Sequence, residues 1–168
     1  LGVTTHTDDL EGEILSRSAL GSLTKARLES VLKRFRGEIS QVPPQVSAIR
    51  KDGVRAYKRV LDGEQVELAP RVVSVACLEL RDCDLKAGRF KIYVRCGSGT
   101  YIRSLARDIG EELGVGGALA FLLRTHSGPF HLEQAVSLEE LHRDGLEPHL
   151  LDPDFPFKES PEGEKRWA

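Results

Sequence analysis

The chain has 168 residues, 40% hydrophobic and 30% charged, with 16 Gly, 8 Pro and a formal net charge of -2. This composition describes a soluble globular chain of one domain, or one domain with a tail, and excludes a disordered or fibrous one. A chain of this length buries most of its surface without disulfide or metal staples, and no apolar run approaches the roughly 18 residues of a membrane span, so no membrane partner is expected.

Met is absent, even at position 1. Removal of an initiator Met does not normally expose Leu, so the natural N-terminus is expected upstream of Leu1. The three cysteines, Cys77, Cys83 and Cys96, are odd in number and loosely spaced. They read as structural thiols of a reducing compartment, which makes the expected localisation cytoplasmic.

Charge is uneven along the chain. Residues 1–16 carry Asp8, Asp9, Glu11 and Glu13 and no Lys or Arg. Residues 17–59 carry eleven Lys and Arg against three acids, a net of +8. That segment is a local electrostatic footprint which the total conceals; its alternatives are a phosphate-contacting surface and a solvated helix face.

His6-Thr7-Asp8-Asp9 brings a His and two carboxylates into four residues. On an extended strand neighbours point to opposite faces, so a polar turn or a contact to ribose and phosphate is favoured over a metal site. Glu13–Leu20 is a strand candidate. Thr24 to Arg36 reads as a helix, with Leu28, Val31, Leu32 and Phe35 on one stripe, Thr24 as its cap and Gly37 at its end. Lys25, Lys33, Arg34 and Arg36 lie off that stripe and should face water or a polyanion.

Gln41-Val42-Pro43-Pro44-Gln45 suits neither a helix interior nor a central strand, because proline fixes φ and removes a donor. Arg50, Lys51, Arg55, Lys58 and Arg59 follow, with Gly53 as a turn and Tyr57 among the bases. This segment should protrude, and its bases with one aromatic suit a phosphate backbone plus a stacking contact. Val72–Leu80 is a partly alternating strand. Arg89–Cys96 alternates cleanly, with Phe90, Ile92, Val94 and Cys96 on the buried face and Asp82–Gly88 as its hairpin connection.

Gly97-Ser98-Gly99-Thr100 then opens a helix with Ile102, Leu105, Ala106, Ile109 and Leu113 inward and Gly114 at its end. The glycine turn is not a Walker loop, since no Gly-Lys-Ser/Thr follows. Tyr101 and Arg103 sit in the first helical turn beside the strand end. An Arg there can hold a carboxylate bidentately, and a Tyr can stack on a flat ring or move a proton; a structural ion pair for Arg103 is the alternative. Ala118–Arg124 reads as a short buried helix, Ser137–His142 as a helical turn, and residues 148–168 as a loose tail. No nucleophile elbow or His-Glu-x-x-His motif supports a hydrolase.

Three blocks together resemble one family, the TruB-type tRNA pseudouridine-55 synthases. Leu1-Gly2 with Thr5, Thr7, Asp9 and Gly12 is the first. Gln41-Val42-Pro43-Pro44 with Ser47-Ala48, Gly53 and Tyr57 is the second, with Arg50 where a Lys is usual. Cys96 to Leu105, then Asp108, Gly110, Leu113-Gly114 and Leu122-Leu123-Arg124, is the third. Order and spacing agree over roughly residues 1–141.

The resemblance implies an α+β fold, a mixed, mostly antiparallel sheet flanked by helices and incomplete at its N-terminus. It implies that residues 1–147 are the C-terminal portion of a catalytic domain, with a tRNA-gripping insertion at about 38–70. It implies isomerisation of uridine 55 after the base is flipped from the T-loop, with no cofactor and no metal. By the same resemblance Tyr101 stacks on the target base, Arg103 pairs with the catalytic aspartate, and Leu122 walls the uracil pocket. Thr5, Thr7, Asp9, Arg50, Lys51, Arg55 and Tyr57 are the further substrate-binding candidates. The expected partner is the tRNA T-arm stem-loop, bound by a monomer. The family's nucleophilic Asp lies in a motif upstream of the Leu-Gly block and is not in this sequence, so the chain alone is expected to be inactive. The alternatives are a T-arm RNA-binding module without chemistry and a guide-RNA-dependent relative.

Overall fold

The computed structural model describes residues 1–47, 49–51, 54–55, 57, 59 and 68–152, with strand pairing alone at 50, 51, 54 and 55. They fall into two compact units, one over Leu1–Ala120 and one that starts at Phe121. The first unit contains β1 (Val3–Thr5), β2 (Ile14–Arg17), α1 (Lys25–Arg34), β3 (Gly37–Gln41), β4 (Arg50–Lys51), β5 (Val54–Arg55), β6 (Arg71–Asp84), β7 (Arg89–Cys96) and α2 (Ile102–Glu112). The second contains β8 (His126–Ser127), β9 (Phe130–His131) and α3 (Leu138–Asp144). Its expected helical turn is α3, which Ser137 and Glu140 close in a reciprocal capping box. Residues 153–168, most of the expected tail, lie outside the described residues. No described helix is long and apolar enough to cross a membrane.

The fold is α+β, as expected. The central sheet has the order β3-β6-β7, all antiparallel. Leu28, Val31 and Leu32 of α1, Val75 and Leu78 of β6, and Leu105 and Ile109 of α2 form one buried cluster. Phe90, Ile92, Val94 and Cys96 pack against it from alternate positions of β7, the face that the alternation predicts.

β6 explains why its own alternation is only partial. Its pairing with β7 shifts register between Val75 and Cys77 and again between Leu80 and Asp82. Each bulge adds one residue and reverses the phase. The inward set therefore runs Val73, Val75, then Leu78, Leu80, then Cys83. The hairpin connection is shorter than Asp82–Gly88, because pairing continues to Asp84 opposite Arg89.

Thr24 caps α1, its hydroxyl accepting the Arg27 N–H at 3.2 Å. The far end differs from expectation. Phe35 closes the helix by donating to the Leu32 carbonyl at 3.2 Å, and Gly37, at φ +85°, opens β3 opposite Val75. Lys25, Lys33 and Arg34 are exposed, but Arg34 pairs with Glu112. Arg36 does not simply face solvent: Nε and Nη2 donate to the Leu78 carbonyl at 3.0 and 2.7 Å.

The expected helix over Ala118–Arg124 is absent. Ala118 to Arg124 has no regular secondary structure apart from a bridge at Leu119, and Phe121 is 79% exposed. The reason lies in the glycines after α2. Val115 and Gly116 donate to the Gly110 carbonyl, and a Cβ at Gly110 would collide with the backbone of Gly116 and Gly117. The chain thus doubles back against α2 and delivers Leu119 into a parallel bridge with Asp9. Leu119 N–H donates to the Asp8 carbonyl at 2.9 Å, and its own carbonyl accepts from Leu10 N–H at 2.9 Å. A residue committed to that bridge cannot also hydrogen-bond as helix.

Gly110→Ala in the full-length protein is expected to destabilise by about 3 kcal/mol, since the collision is with backbone. Gly37→Ala, which meets open space and suffers only the left-handed φ, should cost about 1 kcal/mol. Urea unfolding of the two variants would read the difference.

Candidate active site

The strand-to-helix junction is built around Gln41, the last residue of β3, which is 1% exposed. Its Oε1 accepts the Tyr101 N–H at 2.8 Å, and its Nε2 donates to the Tyr101 carbonyl at 3.1 Å. One buried amide thus engages both backbone groups of Tyr101, whose carbonyl also accepts the Leu105 N–H at 3.0 Å. Tyr101 is the N-cap residue of α2 and makes no side-chain cap bond. Thr100 Oγ1 donates to the Gly97 carbonyl at 2.9 Å, which folds the glycine turn ahead of it.

Arg103 leaves the first turn of α2 and forks. Nη1 donates to the Thr7 carbonyl at 3.0 Å and lies 3.3 Å from Asp9 Oδ2, while Nη2 donates to the Val46 carbonyl at 2.9 Å. The turn after β1 is shaped to receive it. Thr7 Oγ1 donates to Asp9 Oδ1 at 2.6 Å, and Thr5 Oγ1 donates to the Asp9 carbonyl at 2.6 Å. Asp9 Oδ1 also accepts the Glu11 N–H at 3.2 Å. The His6–Asp9 stretch is therefore a polar turn with its carboxylates directed at α2. Asp8 holds φ at +62°, a left-handed conformation that Asp tolerates at a cost of about 1 kcal/mol.

One turn further along α2, Arg107 Nη1 donates to Asp8 Oδ2 at 2.8 Å and Nη2 to the Val42 carbonyl at 2.8 Å. Its Nε donates to Asp108 Oδ1 at 2.9 Å. Burial pushes the Asp8 and Asp108 carboxyls above their ordinary range, against the pull of Arg107. Burial also works against the charge of Arg107, yet Asp8 and Asp108 together raise its pKa.

Arg103, Thr7 and Asp9 thus meet in the first unit, with Thr5 bonded to the Asp9 backbone, and Tyr101 stands two residues ahead of Arg103 at the start of the same helix. Tyr57 N–H donates to the Ser47 carbonyl at 3.1 Å, adjoining the Val46 that Arg103 contacts. Arg50 pairs with Arg55, and Lys51 with Val54, as β4 and β5. Gly53, the expected turn between them, lies outside the described residues, as do Ala48 and Lys58. Leu122 belongs to the second unit and is exposed there. The three cysteines are free thiols, all partly buried.

Sequence reasoning misses Gln41 and Asp8 as partners of α2, and Arg107 as the α2 residue that meets Asp8. A signal for Arg107 is present, since Arg103 and Arg107 stand four apart and share a helix face. Gln41 opens the second block, but nothing there marks its role, because a buried amide facing backbone leaves no periodic trace.

Residues 1–102 match the profile of the TruB family pseudouridylate synthase N-terminal domain, and residues 103–152 that of the tRNA pseudouridylate synthase B C-terminal domain. The chain is 51% identical over 140 residues to a tRNA pseudouridine synthase B of Synechococcus sp. WH7803, which covers 83% of this chain and 47% of that relative. It is 46% identical over 155 residues to the protein of the same name in Corynebacterium diphtheriae, covering 89% and 51% respectively. The chain spans about half the length of the curated relatives it matches. Among solved structures, a chain of a Cbf5-Nop10-Gar1 complex superposes with a TM-score of 0.56 at 30% identity, covering 79% of this chain and 37% of that one. A chain of an H/ACA RNP bound to a substrate RNA containing 2'-deoxyuridine gives a TM-score of 0.52 at 27% identity, covering 83% and 36%.

Gln41→Ala leaves the Tyr101 N–H without its partner, while the Tyr101 carbonyl keeps the Leu105 N–H, and in the full-length protein it should lower stability by about 2 kcal/mol. Urea unfolding checks this; a loss under about 0.5 kcal/mol would mean that water replaces the amide without penalty.

Proposed function

Because the chain belongs to the TruB family of pseudouridylate synthases, we propose that the protein containing it isomerises uridine 55 in the T-loop of tRNA to pseudouridine. The reaction exchanges the bond from ribose C1′ to uracil N1 for one to C5; C5 gives up its proton and N1 takes one up. It needs no redox partner and no added group. The target base must leave its stack, at a cost of a few kcal/mol that protein contacts have to offset.

The observation that carries this reading is the pairing of Tyr101 and Arg103 at the start of α2 beside the acidic turn of Thr5, Thr7 and Asp9. Tyr101, with its backbone held at both ends by Gln41, is suited to stack on the flipped uracil and is the candidate for moving its proton. Arg103, whose guanidinium already gathers two carbonyls and a carboxylate, is suited to orient a nucleophilic aspartate. Thr5, Thr7 and Asp9 would shape the substrate side. Residues 1–147 then form part of the catalytic domain, with 38–70 as the T-arm grip and Arg50, Lys51, Arg55 and Tyr57 as its contacts. Three free thiols fit a reducing cytoplasm, and a monomer acting on the T-arm is the simplest assembly that the reading needs.

The likeness to Cbf5 favours a second reading, a guide-RNA-dependent synthase. The higher identity to relatives named tRNA pseudouridine synthase B favours the first. Pseudouridine formation in a T-arm stem-loop without guide RNA or partner protein separates them.

In the full-length protein, Tyr101→Phe and Arg103→Ala should each lower tritium release from a 5-tritiated T-arm by about 100-fold or more, with Kd changed by less than about threefold. Turnover left intact would remove both roles. Binding should weaken steeply with salt, and Arg50→Ala or Lys51→Ala should each reduce the slope of log K against log salt by about 1. A flat dependence would exclude residues 17–59 as the phosphate-contacting surface.

A further inference from the structure

Arg107 has no part in the chemistry above, yet its contacts repeat those of Arg103 one helical turn away. Arg103 bridges the turn at Thr7–Asp9 and the carbonyl of Val46. Arg107 bridges the same turn at Asp8 and the carbonyl of Val42. Asp8 and Asp9 are neighbours, and the left-handed φ of Asp8 directs both carboxylates to α2 despite their adjacency. The Arg107 and Asp8 side chains are only 19% and 13% exposed, so little water competes for the pair. The two carbonyls on the other side also lie four residues apart, at the root of the basic segment.

We propose that Arg107 and Asp8 are a positioning pair that fixes the direction of the Arg103 guanidinium by locking the two segments on which it rests. This deepens the proposed function and rests on it. Asp8 holds the turn so that the Thr7 carbonyl and Asp9 Oδ2 meet Nη1. The Val42 contact holds the Pro43-Pro44 segment so that the Val46 carbonyl meets Nη2. Asp108, on the helix itself, accepts the Arg107 Nε–H at 2.9 Å and so adds a third anchor to the guanidinium. Without the pair, Arg103 keeps its charge but loses a single direction, which an in-line contact with a nucleophile requires.

The test uses the full-length protein with Arg107→Gln, Arg107→Lys, Asp8→Asn and the double variant Asp8→Asn with Arg107→Gln. Single-turnover pseudouridine formation should fall about tenfold or more in Arg107→Gln and Asp8→Asn, with the T-arm Kd within about threefold of wild type. The double variant should be no slower than the slower single one, because both remove the same contact. Arg107→Lys should recover part of the rate, since an ammonium can meet Asp8 but cannot fork to the Val42 carbonyl. Independently of turnover, the side-chain 15N resonances of Arg103 should shift or broaden in Arg107→Gln and stay in place in Arg143→Gln, which removes an exposed ion pair elsewhere. Arg103 resonances unmoved in Arg107→Gln overturn the proposal, as does a folded Arg107→Gln that turns over at the wild-type rate while Arg103→Ala is dead. An inactive wild type whose Arg103 resonances respond as stated overturns the proposed function and leaves the positioning pair supported.

Discussion

Helix α2 projects two guanidinium groups, one turn apart, across a gap that two other segments of the chain must close. Each group has more donors than one carboxylate can use. Arg103 therefore takes carbonyls from Thr7 and Val46 as well as facing Asp9, and Arg107 takes the Val42 carbonyl as well as Asp8. The turn after β1 is mostly polar, and the Pro-Pro segment is anchored by its two buried prolines. Both also accept from donors fixed to a helix whose other face, through Leu105 and Ile109, belongs to the main core.

That arrangement links packing to chemistry. The sheet and α1 bury the inner stripe of α2, so its outer stripe is rigid without help. Gln41 joins the two levels: it ends a core strand, and its amide sets where the helix begins. The glycines after α2 complete the enclosure by bringing Leu119 back beside Asp9. The start of α2 is thus supported from a strand, a turn and a return loop, each through hydrogen bonds.

What the sequence made legible followed periodicity. The stripe of α1, the alternation of β7 and the inward face of α2 are repeated patterns, and all three stand where the residues suggest. β6 was legible only in part, because two bulges reverse its phase within fourteen residues. Ala118–Arg124 misled because a continuous apolar run does not distinguish a buried helix from an extended segment; the bridge to Asp9, a long-range event, decided the matter. For the site, the residue types at the helix start were visible, whereas the partners of Arg103 were not. They are mostly carbonyls, which every residue carries and no composition marks.

The Pro-Pro segment has an evolutionary corollary. Arg103 and Arg107 hold it through the main-chain oxygens of Val46 and Val42, not through side chains. Drift at those two valines should accordingly be neutral so long as the bend survives, and selection should fall on the prolines that set the bend. Related enzymes would then share the shape of this stretch more faithfully than its letters.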